Sequence, residues 1–284
     1  MKKQGYLSEI FSSFQGEGGT VPGSCFGKKQ IFLRFAGCNI ANKEFGTSGC
    51  FFCDTPSAQT FESKIYQYKK KPSSQEFTVA NNPIHIQELI KIIQNLKTID
   101  LHSISFTGGE PMCQLEFLLQ LGTSLKNNGI NYPLYLETNG TILPDEAELA
   151  QIGELFKYCC CDIKDRSSHA AKVNQWKTLV KKELDFIRTI TSVNILTFAK
   201  IIVTSHTKIE DIEWIVQELS NIKYQDGNHI GLAIQPVYLE QKKLKNNYSI
   251  SNEKLNQLFY AAAKHLSPEN ISLSIQAHKF LKLL

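Results

Sequence analysis

The sequence predicts an α/β fold, a partial, modified (β/α)6-type barrel formed as a single domain over residues 1–284. Three observations carry this reading. Strand-like segments alternate with helical stripes from Gln30 onward, the pattern of βαβ units around a parallel sheet. There are about six such units, short of the eight in a closed barrel. Glycines and polar residues gather where the strands end, at Thr107-Gly108-Gly109-Glu110, Glu137-Thr138-Asn139-Gly140, Asp162-Ile163-Lys164, Thr204-Ser205 and Gln235-Pro236. In parallel α/β folds that edge binds ligands.

The elements follow in order. Gln30 to Ala36 reads as a strand, with Ile31, Leu33 and Phe35 alternating against Phe32 and Arg34. Residues 54–83 are polar and irregular, and an insertion is expected at 61–82. Ile86, Leu89, Ile90 and Ile93 then fall at i, i+3, i+4 and i+7, one face of a helix. Ser103–Thr107 is a strand, followed by helix Gln114–Asn127 and strand Leu134–Thr138. Helix Asp145–Phe156 leads to strand Tyr158–Lys164, and helix Gln175–Ile190 to strand Phe198–Thr204. Helix Lys208–Ile222 leads to strand His229–Gln235, and helix Asn252–His265 to a last strand, Ile271–Gln276.

Composition narrows the function classes. A hydrophobic content of 42% and a charged content of 20% are those of an ordinary soluble chain, large enough at 284 residues to bury a full core. The net charge of +4 is too mild for a nucleic-acid partner. Lys69-Lys70-Lys71 precedes Pro72 and Ser73-Ser74 and reads as a solvated loop. No signal peptide opens the sequence, and no apolar run approaches the roughly 20 residues of a membrane span. Eight unevenly spread cysteines do not form a disulfide framework. A reducing, cytoplasmic location is expected.

Cys38, Cys50 and Cys53 form C-x11-C-x2-C, running into Asp54-Thr55. Three thiolates leave a metal position open, because closed zinc sites and fully protein-held iron–sulfur clusters take four ligands. By spacing alone, a zinc knuckle completed by His85 or His102 stands equal to an iron–sulfur cluster. Gly108-Gly109-Glu110-Pro111 fits a plain strand-to-helix turn, or a backbone brought close to a ligand whose ammonium Glu110 accepts. Gln15-Gly16-Glu17-Gly18-Gly19 is a flexible loop or a polar substrate clamp. Cys159-Cys160-Cys161 cannot close on one ion, since adjacent strand residues face opposite ways, and they read as buried thiols.

These motifs resemble the radical S-adenosylmethionine superfamily. More narrowly, Glu9-Ile10-Phe11-Ser12-Ser13-Phe14-Gln15-Gly16-Glu17-Gly18, Phe32-Leu33-Arg34-Phe35-Ala36-Gly37-Cys38-Asn39, Cys53-Asp54-Thr55 and Gln276-Ala277-His278-Lys279 resemble the 7-carboxy-7-deazaguanine synthases. The resemblance implies a carbon–nitrogen lyase. It would convert 6-carboxy-5,6,7,8-tetrahydropterin to 7-carboxy-7-deazaguanine with loss of ammonia, on the 7-deazapurine route to queuosine. It implies a homodimer served by an electron donor such as flavodoxin. Cys38, Cys50 and Cys53 would hold a 4Fe–4S cluster. Phe52, Asp54, Gly109, Glu110, Asn139, Asp162, Ile163, Lys164, Gln235, Pro236, Val237 and Tyr238 would bind S-adenosylmethionine. Phe14, Gln15, Gly16, Arg34, Thr107, His278 and the carboxylate of Leu284 would contact the pterin, and Thr55 would ligate Mg²⁺.

The sequence departs from the superfamily's C-x3-C-x2-C, having a longer cluster loop at 39–49. Asp162-Ile163-Lys164 also reads more like glycyl-radical activating enzymes, which act on a partner protein. That activity is the rival enzyme reading, and a zinc-stabilised binding module is the non-enzyme one.

Overall fold

Seven strands in parallel register build the framework: β3 (Lys29–Phe35), β7 (Leu101–Gly108), β8 (Leu134–Thr138), β9 (Phe156–Ile163), β10 (Leu196–Val203), β11 (Gly231–Pro236) and β12 (Ile271–Leu273). They belong to a computed structural model that describes residues 4–239 and 247–281. The full sheet has ten strands in the order β12-β11-β10-β9-β8-β7-β3-β2-β4-β5. β2 (Leu7–Phe14) lies antiparallel to β3, and β4 (Ile65–Tyr68) and β5 (Thr78–Asn81) extend that edge. A short pair, β1 (Gln4–Gly5) with β6 (Ile84–His85), stands apart.

Strand alternation sorts the side chains. Leu33, Phe35, Ile104, Phe106, Leu136, Cys159, Cys161, Ala199, Ile201, Leu232 and Ile234 face the main core. Covering them are α1 (Ile86–Leu96), α2 (Leu115–Asn127), α3 (Glu146–Leu155), α4 (Trp176–Thr191), α5 (Ile209–Ser220) and α6 (Asn252–Ala263). The predicted stripe Ile86, Leu89, Ile90 and Ile93 is the buried face of α1. α3 opens on a capping box between Asp145 and Glu148, which satisfies two otherwise unpaired amides.

The opposite parity, including Gln30, Ser105, Thr107, Glu137, Asp162, Lys200 and Gln235, turns to the concave side. The β2–β3 loop crosses that side to the far edge of the sheet. Gly18 N–H donates to Ser274 Oγ at 2.8 Å, and Thr20 N–H to Ser272 Oγ at 2.9 Å. Val21 from this loop packs with Tyr135, Cys160, Phe198 and Ala233 in a second apolar cluster inside the curve. Gly19 permits the crossing: its φ is +58°, and a Cβ there would lie 2.5 Å from Leu273 O.

Four expectations change. β2 is a strand, although its sequence alternates poorly and seven of its eight residues are buried or half-buried. The supposed irregular insertion at 61–82 forms the β4–β5 hairpin, pairing Tyr66 with Ala80. Lys69 is buried at 6% exposure, its ammonium 5.2 Å from the Phe77 ring centroid, so the basic run is not wholly solvated. The last strand ends at Leu273 rather than Gln276, because Ser274 and Gln276 turn inward to bond Gln235 and Glu17. The remaining boundaries move by a residue or two, as helix ends do.

Candidate active site

Two adjoining chambers lie at the carboxyl ends of the parallel strands. Cys38, Cys50 and Cys53 line the first, with Phe52, Gly109, Asn139, Asp162, Lys164, Val237 and Tyr238. The second is lined by Phe14, Gln15, Gly16, Arg34, Thr107, Glu137 and His278. Glu17, Asp54, Thr55, Gly108, Asp162 and Lys200 line both, so they form the boundary where contents of the two would meet.

Backbone close approach builds the first chamber. Gly109 N–H donates to Phe35 O at 2.9 Å, Glu110 N–H to Gly37 O at 2.7 Å, and Gly37 N–H to Ala58 O at 2.8 Å. A Cβ on Gly109 would sit 2.3 Å from both Ala58 O and Gly37 O, so only glycine fits there. Glu110 lies beneath the floor rather than in the lining. It is fully buried, and its carboxylate accepts from Met112 N–H at 3.0 Å, Thr138 Oγ1 at 2.7 Å and Asn139 N–H at 2.6 Å. Burial pushes its carboxyl up to about 7, against the pull of those three donors. Ile163 and Gln235 are also buried. Gln235 accepts from Ser274 Oγ at 2.6 Å, and its Nε2 has no partner among the described residues. Pro236 is half-buried at the end of β11.

The thiols fit a cluster better than a single ion. One trio of Cys, His, Asp or Glu among the described residues has ligand atoms all within 4.8 Å of one another, and it is Glu17, Asp54 and His278. At least one pair of the three thiols is therefore more than 4.8 Å apart. Thiolates bound at about 2.3 Å to one tetrahedral zinc would be closer. His102 opens β7 at the end opposite Gly108, roughly 20 Å away at strand rise, and His85 meets Gln4 in the β1–β6 pair. Neither completes a zinc knuckle. Burial raises the Cys50 thiol to about 12 and that of Cys38 above its usual value, so their thiolates need positive charge nearby.

Charge is concentrated at the boundary. Lys200 contacts Asp162 at 3.1 Å and forms a short ion pair with Glu17. Lys164 meets Asp162 at 3.2 Å. Burial would push the Asp162 carboxyl up, but the two ammonium groups more than offset it and hold it low. Asp54 is treated alike: burial pushes it up, and Lys279, Arg34 and Lys200 bring it down. Gln276 donates to Glu17 at 2.8 Å and to Asp54 at 3.1 Å, while Lys279 contacts Asp54 at 3.5 Å. These last contacts seat α7 (Ala277–Leu281) over the mouth, with Phe280 against Tyr238 at 5.6 Å.

A buried amide–carboxylate ladder floors the second chamber. Gln15 Nε2 donates to Glu137 at 2.7 Å, Thr107 Oγ1 to the other carboxylate oxygen at 3.0 Å, and Gln30 Nε2 to Ser103 Oγ at 2.8 Å. Burial raises the Glu137 carboxyl. Arg34 enters from β3, its Nε held by Glu9 at 2.9 Å on the neighbouring strand. His278 lies against Gly16, where a Cβ would meet Nδ1 at 2.6 Å. Thr55 Oγ1 is 3.4 Å from Asp54 Oδ1. Leu284 lies outside the described residues.

The structure thus brings together most residues that the sequence singled out. It adds Glu137, Glu17, Lys200, Gln276 and Lys279, whose signals were weak. Glu137 and Lys200 occupy inward strand positions that mean nothing until the sheet curves, and the others were visible only as parts of longer motifs.

Residues 15–179 match the family model for a 4Fe-4S single cluster domain. The chain is 35% identical to the 7-carboxy-7-deazaguanine synthase of Thermococcus kodakarensis, over 98% of each chain. It is 33% identical to that of Methanocaldococcus jannaschii, over 98% of this chain and all of the relative. In fold it resembles the crystal structure of QueE from Escherichia coli, with a TM-score of 0.54 at 18% identity, over 98% of this chain and 96% of that one. By its match to that family model the chain is of the single-cluster 4Fe-4S domain class. Within that class, the chain belongs to the 7-carboxy-7-deazaguanine synthase family.

Proposed function

We propose that this chain converts 6-carboxy-5,6,7,8-tetrahydropterin to 7-carboxy-7-deazaguanine with loss of ammonia. One observation carries the reading: a thiol-lined chamber opens through a shared charged wall into a second chamber built from carboxylate, amide and guanidinium groups. A 4Fe–4S cluster on Cys38, Cys50 and Cys53 would supply, with S-adenosylmethionine, reductive cleavage of the sulfonium bond and a 5′-deoxyadenosyl radical. The residues present fit that role. Three thiols leave one iron open, and Phe52, Gly109, Asn139, Asp162 and Tyr238 surround the space beside them.

The protein's own work is placement. Glu137, already fixed by Gln15 and Thr107, suits the donor-rich edge of a pterin, where a carboxylate accepts paired N–H groups. Arg34 is pre-aligned by Glu9 and offers the rest of its fork to the substrate carboxylate. The seated α7, with His278 and Lys279, closes the mouth and limits water.

Thr55 would ligate Mg²⁺ beside Asp54, because hard cations prefer such oxygens, and the ion would supply charge for substrate oxygens. We place the enzyme in the cytoplasm as a homodimer, reduced by a carrier such as flavodoxin. No helix among the described residues is long and apolar enough to cross a membrane. The test is an anaerobic assay with the carboxytetrahydropterin, S-adenosylmethionine and a reductant. Formation of deazaguanine product and 5′-deoxyadenosine is expected, and cofactor cleavage without pterin consumption would refute the substrate assignment.

A further inference from the structure

The cluster cysteines are separated from one outer surface by a small apolar wall. Ile40, Phe45, Ala170 and Leu179 form a buried group apart from the main core, and Cys38 and Cys50 pack against it. The cluster loop and the 166–182 segment build this wall together: Lys172 N–H donates to Phe45 O at 3.0 Å, and Thr47 Oγ1 to Ala170 O at 2.8 Å.

That segment is basic. It carries Arg166, Lys172, Lys177, Lys181 and Lys182 and no acidic residue, in a protein whose net charge is +4. Asp211 neutralises Arg166 and Glu44 neutralises Lys182, each at 2.8 Å. Asp185, one turn beyond Lys181, is engaged by Arg188. No carboxylate ion-pairs with Lys172, Lys177 or Lys181 among the described residues, nor with Lys43 on the cluster loop. All four are exposed, with Val173 among them at 78% exposure.

Like charges without a carboxylate partner repel one another and destabilise a surface slightly, so their gathering on the two segments that build the apolar wall fits an acidic partner, even with the Lys177 ammonium 5.4 Å from the Trp214 ring centroid. Redox encounters use small interfaces steered by opposite charge. Electron transfer also falls steeply with distance, which favours a face whose apolar wall packs directly on Cys38 and Cys50. We infer that this face docks a small, acidic, low-potential one-electron carrier. In each encounter the reduced carrier loses one electron and the oxidised cluster gains it, with no bond made or broken. The inference rests on the proposed function, since only a cluster fed from outside needs such a face.

The experiment uses the cluster-loaded protein and a purified acidic flavodoxin in its hydroquinone form. Variants are Lys43→Glu/Lys172→Glu/Lys181→Glu and the milder triple change to Gln. Stopped-flow bleaching of the cluster absorbance is read at low and high salt, with iron content and thermal midpoint checking that each variant is loaded and folded. Charge reversal is expected to slow flavodoxin-driven reduction roughly tenfold or more at low salt, the Gln variant less, with the differences collapsing at high salt. Reduced methyl viologen, a small cation, should drive turnover of the variants no slower than wild type. Equal flavodoxin rates for all proteins would overturn the proposal. So would a change in oligomeric state by light scattering, which would assign the face to a second copy. Loss of pterin turnover with viologen in the wild type would instead count against the proposed reaction, leaving the reduction rates to judge the docking face.

Discussion

At the scale of single residues, burial decides which groups titrate and separates the chamber-lining cysteines from those of the core. Glu183 is fully buried on α4, accepts from Lys164 N–H at 3.0 Å through one oxygen, and has its other oxygen unpartnered among the described residues. Burial raises its carboxyl from 4.5 to about 8. Between those values the folded chain keeps a proton that the unfolded chain releases, so stability falls as pH rises through that window. Glu183→Gln keeps the acceptor and removes the titration. Urea unfolding should find variant and wild type alike near pH 5, and the variant more stable at pH 8.5 by roughly 1–3 kcal/mol. The cysteines divide in the same way. Ala at Cys38, Cys50 or Cys53 should abolish cofactor cleavage and lower bound iron. Ala at Cys159 or Cys161, which pack in the main core, should cost about 1 kcal/mol of stability and leave iron unchanged. Full iron content in Cys50→Ala would remove that residue from the cluster.

At the scale of elements, the ends of β3 and β7 form one rigid unit with the 3-10 turn Pro56–Gln59. Three backbone hydrogen bonds leave no room for a methyl group at Gly109. Gly109→Ala should therefore displace the chamber floor, costing roughly 2–4 kcal/mol and weakening S-adenosylmethionine binding in calorimetry at least tenfold. Gly129 is the control. It has φ +70° but nothing within 4 Å of a new Cβ, so Gly129→Ala should cost about 1 kcal/mol and leave binding intact. Similar melting points for the two variants would show that close approach does not govern the floor.

At the scale of the whole molecule, segments far apart in the chain meet over the site. The β2–β3 loop gives Glu17, the cluster region gives Asp54, and Gln276 and Lys279 join them. This closure is made of hydrogen bonds to charged groups, each worth about 1.5–3 kcal/mol. Gln276→Ala/Lys279→Ala should leave the sheet and iron content intact, since both lie outside the core and the thiol set. Pterin turnover should fall roughly 10- to 100-fold, mostly through KM, if seating α7 orders the second chamber. An unchanged KM would make α7 a surface helix with no part in closure.

Much of this protein was legible before it folded. The helical stripe at Ile86–Ile93, the alternation of β3 and the turn glycines are local signals, because 3.6- and 2-residue periods and positive φ belong to short stretches of chain. The cysteine trio and Gly108-Gly109 marked one chamber for the same reason. Tertiary structure decided the rest. β2 lacks clean alternation because both its faces are covered, and the 61–82 segment became a strand pair only by finding an open sheet edge. Glu137 and Lys200 are ordinary strand residues until curvature brings them together. Lys69 looked solvated until Phe77 covered it. Lys43, distant in sequence from Lys172 and Lys181, joins their basic face only because the cluster loop packs on α4. Sequence fixes what each segment can be on its own, whereas a site assembled across the sheet depends on contacts between residues hundreds of positions apart, which no local pattern encodes.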